Sequence, residues 1–235
     1  MNSIDDERPF EAPWSVRDTW IGVASLFFLI VLLMLTTFLL PDLDIGLFLI
    51  FGELVFLIPV WYLGIWKYRA SWDDLGLRSF KVGSLAVGCG LMIVSWLFNL
   101  GYGLFLGLYN LQVQPDFSLL FDGTISPGLI FFGGAFIAPI VEEVIFRGFI
   151  FAGLKERFGW VKSALISAVL FSLIHFQLAA ILPIFILGMI FAYLYHLSGS
   201  IWPAVIMHVS TNALGLGTVY FVSKFELLDL TMLLR

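Results

Sequence analysis

An all-α, polytopic transmembrane helical bundle of seven to eight helices is the fold class this chain predicts, and three observations carry it. Of its 235 residues, 60% are hydrophobic and 12% charged, about half the charged fraction of an ordinary soluble domain. The apolar residues gather in runs of about 20, long enough for a helix to cross a bilayer. Lys and Arg then fall on alternate connections between those runs, the charge asymmetry of a multi-pass topology. Alternating amphipathic strands are absent, which argues against an outer-membrane barrel. Nothing basic or repetitive suggests a nucleic-acid partner. Cys89 is the lone cysteine, so neither an internal disulfide nor a zinc–thiolate cluster is expected.

Taken in order, Met1 to Asp18 is polar and acidic and reads as a cytoplasmic tail. Trp20 to Leu40 is an uncharged run closed by Pro41-Asp42. It is too long for a signal-peptide core and reads as a retained first helix. Ile45 to Trp66 is the second span, with Glu53 inside it. Lys67 to Lys81 is polar and aromatic, an interfacial connection. Val82 to Leu108 is the third span, and its glycines allow close helix contacts. A longer polar-apolar loop follows, Tyr109 to Ser126.

The fourth span, about Pro127 to Phe151, holds two adjacent glutamates. Pro139, which lacks a backbone donor, should kink it about one turn before them. After a basic connection, Ser163 to Ala179 is the fifth span and Ala180 to Leu197 the sixth. Ser198-Gly199-Ser200 is a turn, and Ile201 to Val222 is the seventh. Residues 19–222 thus form a single transmembrane domain, with residues 223–235 an amphipathic C-terminal tail or part of an eighth helix. With the N-terminus cytoplasmic, every Lys and Arg except Lys224 and Arg235 falls on the inner side.

Three polar clusters interrupt the last four spans. In Glu142-Glu143-x-x-x-Arg147, neighbouring side chains diverge by about 100°, so the glutamates cannot do the same job. Glu143 and Arg147 stand at i and i+4 with the acid N-terminal, the favourable orientation for an ion pair. Their first reading is therefore mutual neutralisation. Glu142 has no partner on its own helix, as suits a general base or acid. A carboxylate at mid-membrane costs about 2.5–3.5 kcal/mol on insertion scales, which makes it a functional candidate by default. The second cluster pairs Phe171 with His175. The third pairs His208 with Asn212, again at i and i+4. Isolated Glu53 and Asn99 read as packing or helix–helix hydrogen bonding, and His196 as an interfacial bystander.

Two chemistries fit these residue types. In one, Glu142 and His175 hold and deprotonate a water while His208 and Asn212 donate to a developing oxyanion. In the other, Glu142, His175 and His208 form a zinc ligand set with one position left for water. Both lead to peptide-bond hydrolysis. His-Glu-x-x-His, Gly-x-Ser-Gly and Gly-x-Gly-Asp are all missing from the sequence, so other intramembrane protease signatures are excluded.

The three clusters together, in this order and inside membrane spans, resemble the CPBP family (CAAX proteases and bacteriocin-processing enzymes, also called the Abi family). Arg147-Gly148-Phe149 and Gly199-Ser200-Ile201-Trp202-Pro203-Ala204 add to the resemblance, which covers about Gly128 to Leu214, the expected catalytic core. It implies an intramembrane endopeptidase of about eight helices. By position, Glu142 would be the water-activating base, His175 its partner, and His208 with Asn212 the oxyanion site. Glu143, Arg147 and Phe171 would support them. No cofactor is certain; zinc is the one the chemistry allows. The implied partners are the lipid bilayer and a membrane-associated protein or peptide, lipidated or not. The competing readings are a transporter or proton-relay protein, since pumps use the same residues, and a non-catalytic membrane scaffold.

Overall fold

The computed structural model describes residues 11–40, 45–111, 121 and 126–225. Most of the expected N-terminal tail, the acidic connections and the C-terminal tail beyond residue 225 lie outside them. No strand occurs among the described residues, and six helices are long and apolar enough to cross a membrane. They are α1 (Val16–Leu39), α2 (Gly46–Trp66), α3 (Gly83–Gly107), α4 (Pro127–Leu173), α5 (Leu178–Ser198) and α6 (Trp202–Lys224). The chain is an integral, multi-pass membrane protein.

Helix α1 begins with Ser15 as its cap, whose hydroxyl accepts from the Asp18 backbone N–H at 3.1 Å. Such a cap satisfies one of the free first-turn donors. The Asp18 carboxylate receives Lys67 Nζ at 2.8 Å and the Tyr68 hydroxyl. The start of α1 is thereby tied to the end of α2. At the same end of the bundle, Ile201 N–H donates to Gly76 O at 2.9 Å and Arg78 Nε donates to Gly199 O at 2.6 Å.

The 47-residue run α4 is not straight. Gly159 has φ 74° and ψ 163°, a region that only glycine enters readily. Ser167 Oγ donates to Phe146 O at 2.9 Å, and the rings of Phe146 and Phe171 lie 5.1 Å apart. Residues 21 apart in a straight helix would be separated by about 32 Å. The two arms, 127–158 and 160–173, therefore run antiparallel against each other. Replacing Gly159 with alanine meets no neighbour within 4 Å, so its cost is backbone strain alone. We expect a loss of about 1–3 kcal/mol, read as a lowered unfolding midpoint in detergent.

The first arm is the central post of the bundle. Every residue from 143 to 154 is buried, as for a helix surrounded by other helices. Its glycines admit close neighbours: a Cβ on Gly148 would stand 2.6 Å from Leu75 O. Between the second arm and α5, Gly188 serves similarly, with a Cβ there 2.9 Å from that of Ala168. Small residues at helix contacts are the usual means of close packing in membranes.

The disturbance expected at Pro139 takes the form of a π-helical turn, Phe131–Ile137, just before it. A second π turn, Val144–Phe151, follows the glutamates. The other difference is at the end of the second arm. It stops at Leu173 rather than near residue 179, and Phe176 adopts a positive φ of 52° before α5 starts.

Candidate active site

Because Glu142 and Glu143 are consecutive, they leave the first arm in different directions, and their surroundings differ. Glu143 is fully buried. Its Oε1 lies 2.9 Å from Arg147 Nη1 and 3.0 Å from His208 Nδ1. Arg147, also without exposed surface, donates through Nη2 to Gly188 O at 3.1 Å. Its guanidinium sits over the rings of Phe171 (4.5 Å) and Phe191 (5.2 Å). The i, i+4 pair expected from the sequence thus forms and carries a third member from α6. Phe171 is the packing hub, since its ring also meets those of His175 (5.0 Å) and His208 (5.7 Å).

His208 stands between both glutamates. A carboxylate paired with arginine can only accept, so His208 Nδ1 carries the hydrogen toward Glu143. Nε2 then faces Glu142 Oε2 at 3.5 Å, too long for a good hydrogen bond. Glu142 Oε2 is buried and accepts no hydrogen bond among the described residues.

The opposite side of Glu142 is open. A cavity of about 240 Å³ is lined by Glu53, Glu142 and His175 together with apolar side chains that include Leu26, Ile30 and Phe56. His175 Nδ1 lies 2.8 Å from Phe171 O. A carbonyl oxygen accepts, so Nδ1 is the protonated nitrogen and Nε2 keeps its lone pair. Glu142 and His175 therefore bring one carboxylate and one imidazole acceptor to the same cavity.

Asn212 is placed elsewhere. Its Nδ2 donates to Gly134 O at 3.0 Å, and it does not line the cavity. The local sequence explains this bond. Ala138 N–H reaches back five residues to Gly133 O. In that register Gly134 O would receive residue 139, a proline without an N–H. Asn212 supplies the missing donor.

Among the described residues, no group of three His, Cys, Asp or Glu is disposed to hold a metal ion. Nδ1 of His175 is committed to Phe171 O and Nδ1 of His208 to Glu143, outer bonds that a metal-ligating histidine also makes, so the zinc reading of Glu142, His175 and His208 rests on their Nε2 atoms. His196 stacks on Trp160 at 4.7 Å, away from the cavity. Glu53, read from the sequence as a packing or hydrogen-bonding residue, lines the same cavity; like Glu142, it is a mid-span carboxylate without a partner at i±4.

Residues 124–214 match the family described as type II CAAX prenyl endopeptidase Rce1-like. The chain is 37% identical over 76 residues to "Putative membrane peptidase YdiL" of Bacillus subtilis (strain 168), which covers 32% of this chain and 31% of that one. It is 31% identical over 90 residues to "UPF0177 protein YxdF" of Lactococcus lactis subsp. lactis (strain IL1403), 38% of this chain and 49% of that one. The matched segment thus spans less than half the length of either relative. No solved structure matches the chain.

Proposed function

We propose that this chain, whose residues 124–214 belong to the Rce1-like family of type II CAAX prenyl endopeptidases, hydrolyses a peptide bond of a membrane-associated protein or peptide. The observation that supports this most is the opening of Glu142 and His175 onto one cavity, with His208 behind Glu142. A water in that cavity donates one hydrogen to His175 Nε2 and yields a proton to Glu142 as its oxygen attacks the scissile carbonyl. The C–N bond then breaks, and the leaving amine takes the proton back from Glu142. His208, whose Nδ1 hydrogen goes to Glu143, donates to the developing oxyanion through Nε2 only as the doubly protonated imidazolium. Asn212 can join it only by giving up its bond to Gly134 O, so its part in the oxyanion site is secondary in this reading.

The topology we infer has seven crossings, the two arms of α4 counted separately, and a cytoplasmic N-terminus. The second arm alone, 14 residues, reaches about 21 Å. Residues 174 and 175 extend it along the cavity wall, where non-helical backbone is tolerated inside a membrane. This arrangement puts Arg17, Lys67, Arg69, Arg78, Lys81, Lys155, Arg157 and Lys162 on the inner side. The ties of Lys67 to Asp18 and Arg78 to Gly199 support a common end for these segments. External labelling of a cysteine placed in the 155–162 connection would reverse the orientation.

The experiment that tests the activity is cleavage of a quenched, lipidated C-terminal peptide by the purified protein in detergent. It is run beside an unlipidated peptide, with and without a strong chelator. Cleavage that survives the chelator supports the glutamate-activated mechanism proposed here; loss in the chelator lane assigns the reaction to a metal. If neither peptide is cut, the endopeptidase proposal fails for that substrate class.

A further inference from the structure

We propose that Glu53 selects the substrate by charge, accepting a lysine or arginine side chain carried by the polypeptide beside the scissile bond. The inference takes its setting from the peptidase reading but is tested without turnover. Glu53 is an acidic side chain inside the apolar helix α2, where a charge without a partner costs about 2.5–3.5 kcal/mol on insertion scales, so a cation brought to it stabilises the charged form. It lines the same cavity as Glu142 and His175.

Among the described residues, no cation lines the cavity to meet it. The cavity lining contains neither Lys nor Arg. Arg147 is committed to Glu143 and Gly188, and His208 stands between Glu142 and Glu143. Glu53, Glu142 and Glu143 together face one guanidinium and one shared imidazole, so the site carries an excess of acid. Apart from Glu53, Glu142 and His175 the wall is apolar, with Leu26, Ile30 and Phe56 among its residues. An aliphatic stem ending in a cation fits both features, because its methylenes contact the apolar wall while its head meets the carboxylate. A neutral residue would leave the carboxylate unpaired and an acidic one would be repelled, so the pocket discriminates by charge in both directions.

The test is binding of fluorescent apolar decapeptides carrying a single lysine, norleucine or glutamate, scanned across four positions, to the full chain in nanodiscs. Wild type should bind the lysine peptide at one position about tenfold more tightly than the norleucine peptide. In Glu53→Gln that ratio should fall close to one, and in Glu53→Lys the preference should pass to the glutamate peptide. The transfer in Glu53→Lys shows the variant to be folded. Equal binding of all three peptides by wild type, or an unchanged lysine preference in Glu53→Gln, would overturn the proposal. Cleavage of the bound peptide is scored separately, so a charge preference without hydrolysis sinks the peptidase reading and leaves this one standing.

Discussion

Replacing Arg147 with methionine is expected to cost about 3–5 kcal/mol, the penalty for breaking a buried ion pair from one side. For a protein of ordinary stability that is much of the total, so the variant should be recovered poorly or unfold early on heating in detergent. Three losses combine. Glu143, with no exposed surface, keeps His208 as its one partner among the described residues. Gly188 O, already in the helical ladder of α5, loses Arg147 as an additional donor. The rings of Phe171 and Phe191 lose the cation between them. Removing both charges should hurt less than removing one, because a well-packed apolar pair can replace a buried salt bridge. Glu143→Leu with Arg147→Met should therefore recover part of the stability. Recovery stays incomplete, since His208 Nδ1 still lacks its partner. A single Arg147→Met variant that melts with wild type would mean the ion pair does not hold the first arm in place.

That experiment also probes what a sequence can disclose. The Glu143–Arg147 pair was legible because both partners sit on one helix at a spacing that local geometry fixes. The helical class and the membrane setting were legible from composition and run length. What a helix meets across the bundle was not. His208 and Asn212 share a face of α6, and sharing a face suggested a common target. Their partners on the first arm, Glu143 and Gly134, are nine residues apart. The Asn212 bond depends on a π-helical register that leaves Gly134 O opposite a proline, and no hydrophobic periodicity reports such a register. Gly159 sits in a helical pattern on both sides, so a reversal there is indistinguishable by pattern from a tolerated glycine. The surroundings of Glu53 were hidden for the same reason: α1, the first arm of α4 and the 174–175 connection build one cavity around it.

Glu142→Gln should separate chemistry from architecture most sharply. The substitution keeps the side-chain shape near His208 but removes the group that takes the water's proton. Loss of a positioned general base lowers turnover by about 10²–10⁴-fold. The fall should appear in kcat with little change in KM, as for an interaction made in the transition state rather than in substrate binding. Stability should move by less than about 1 kcal/mol, because Glu142 is 15% exposed and has no arginine partner. Glu143→Gln should behave in the opposite way: it weakens the pair with Arg147 and alters what His208 Nδ1 meets, so folding and turnover decline together. Rates from single-turnover cleavage, set beside unfolding midpoints for both variants, make the comparison. Were Glu142→Gln to retain turnover while Glu143→Gln lost it at unchanged stability, the base would be Glu143, and the ion pair would have to open during the reaction.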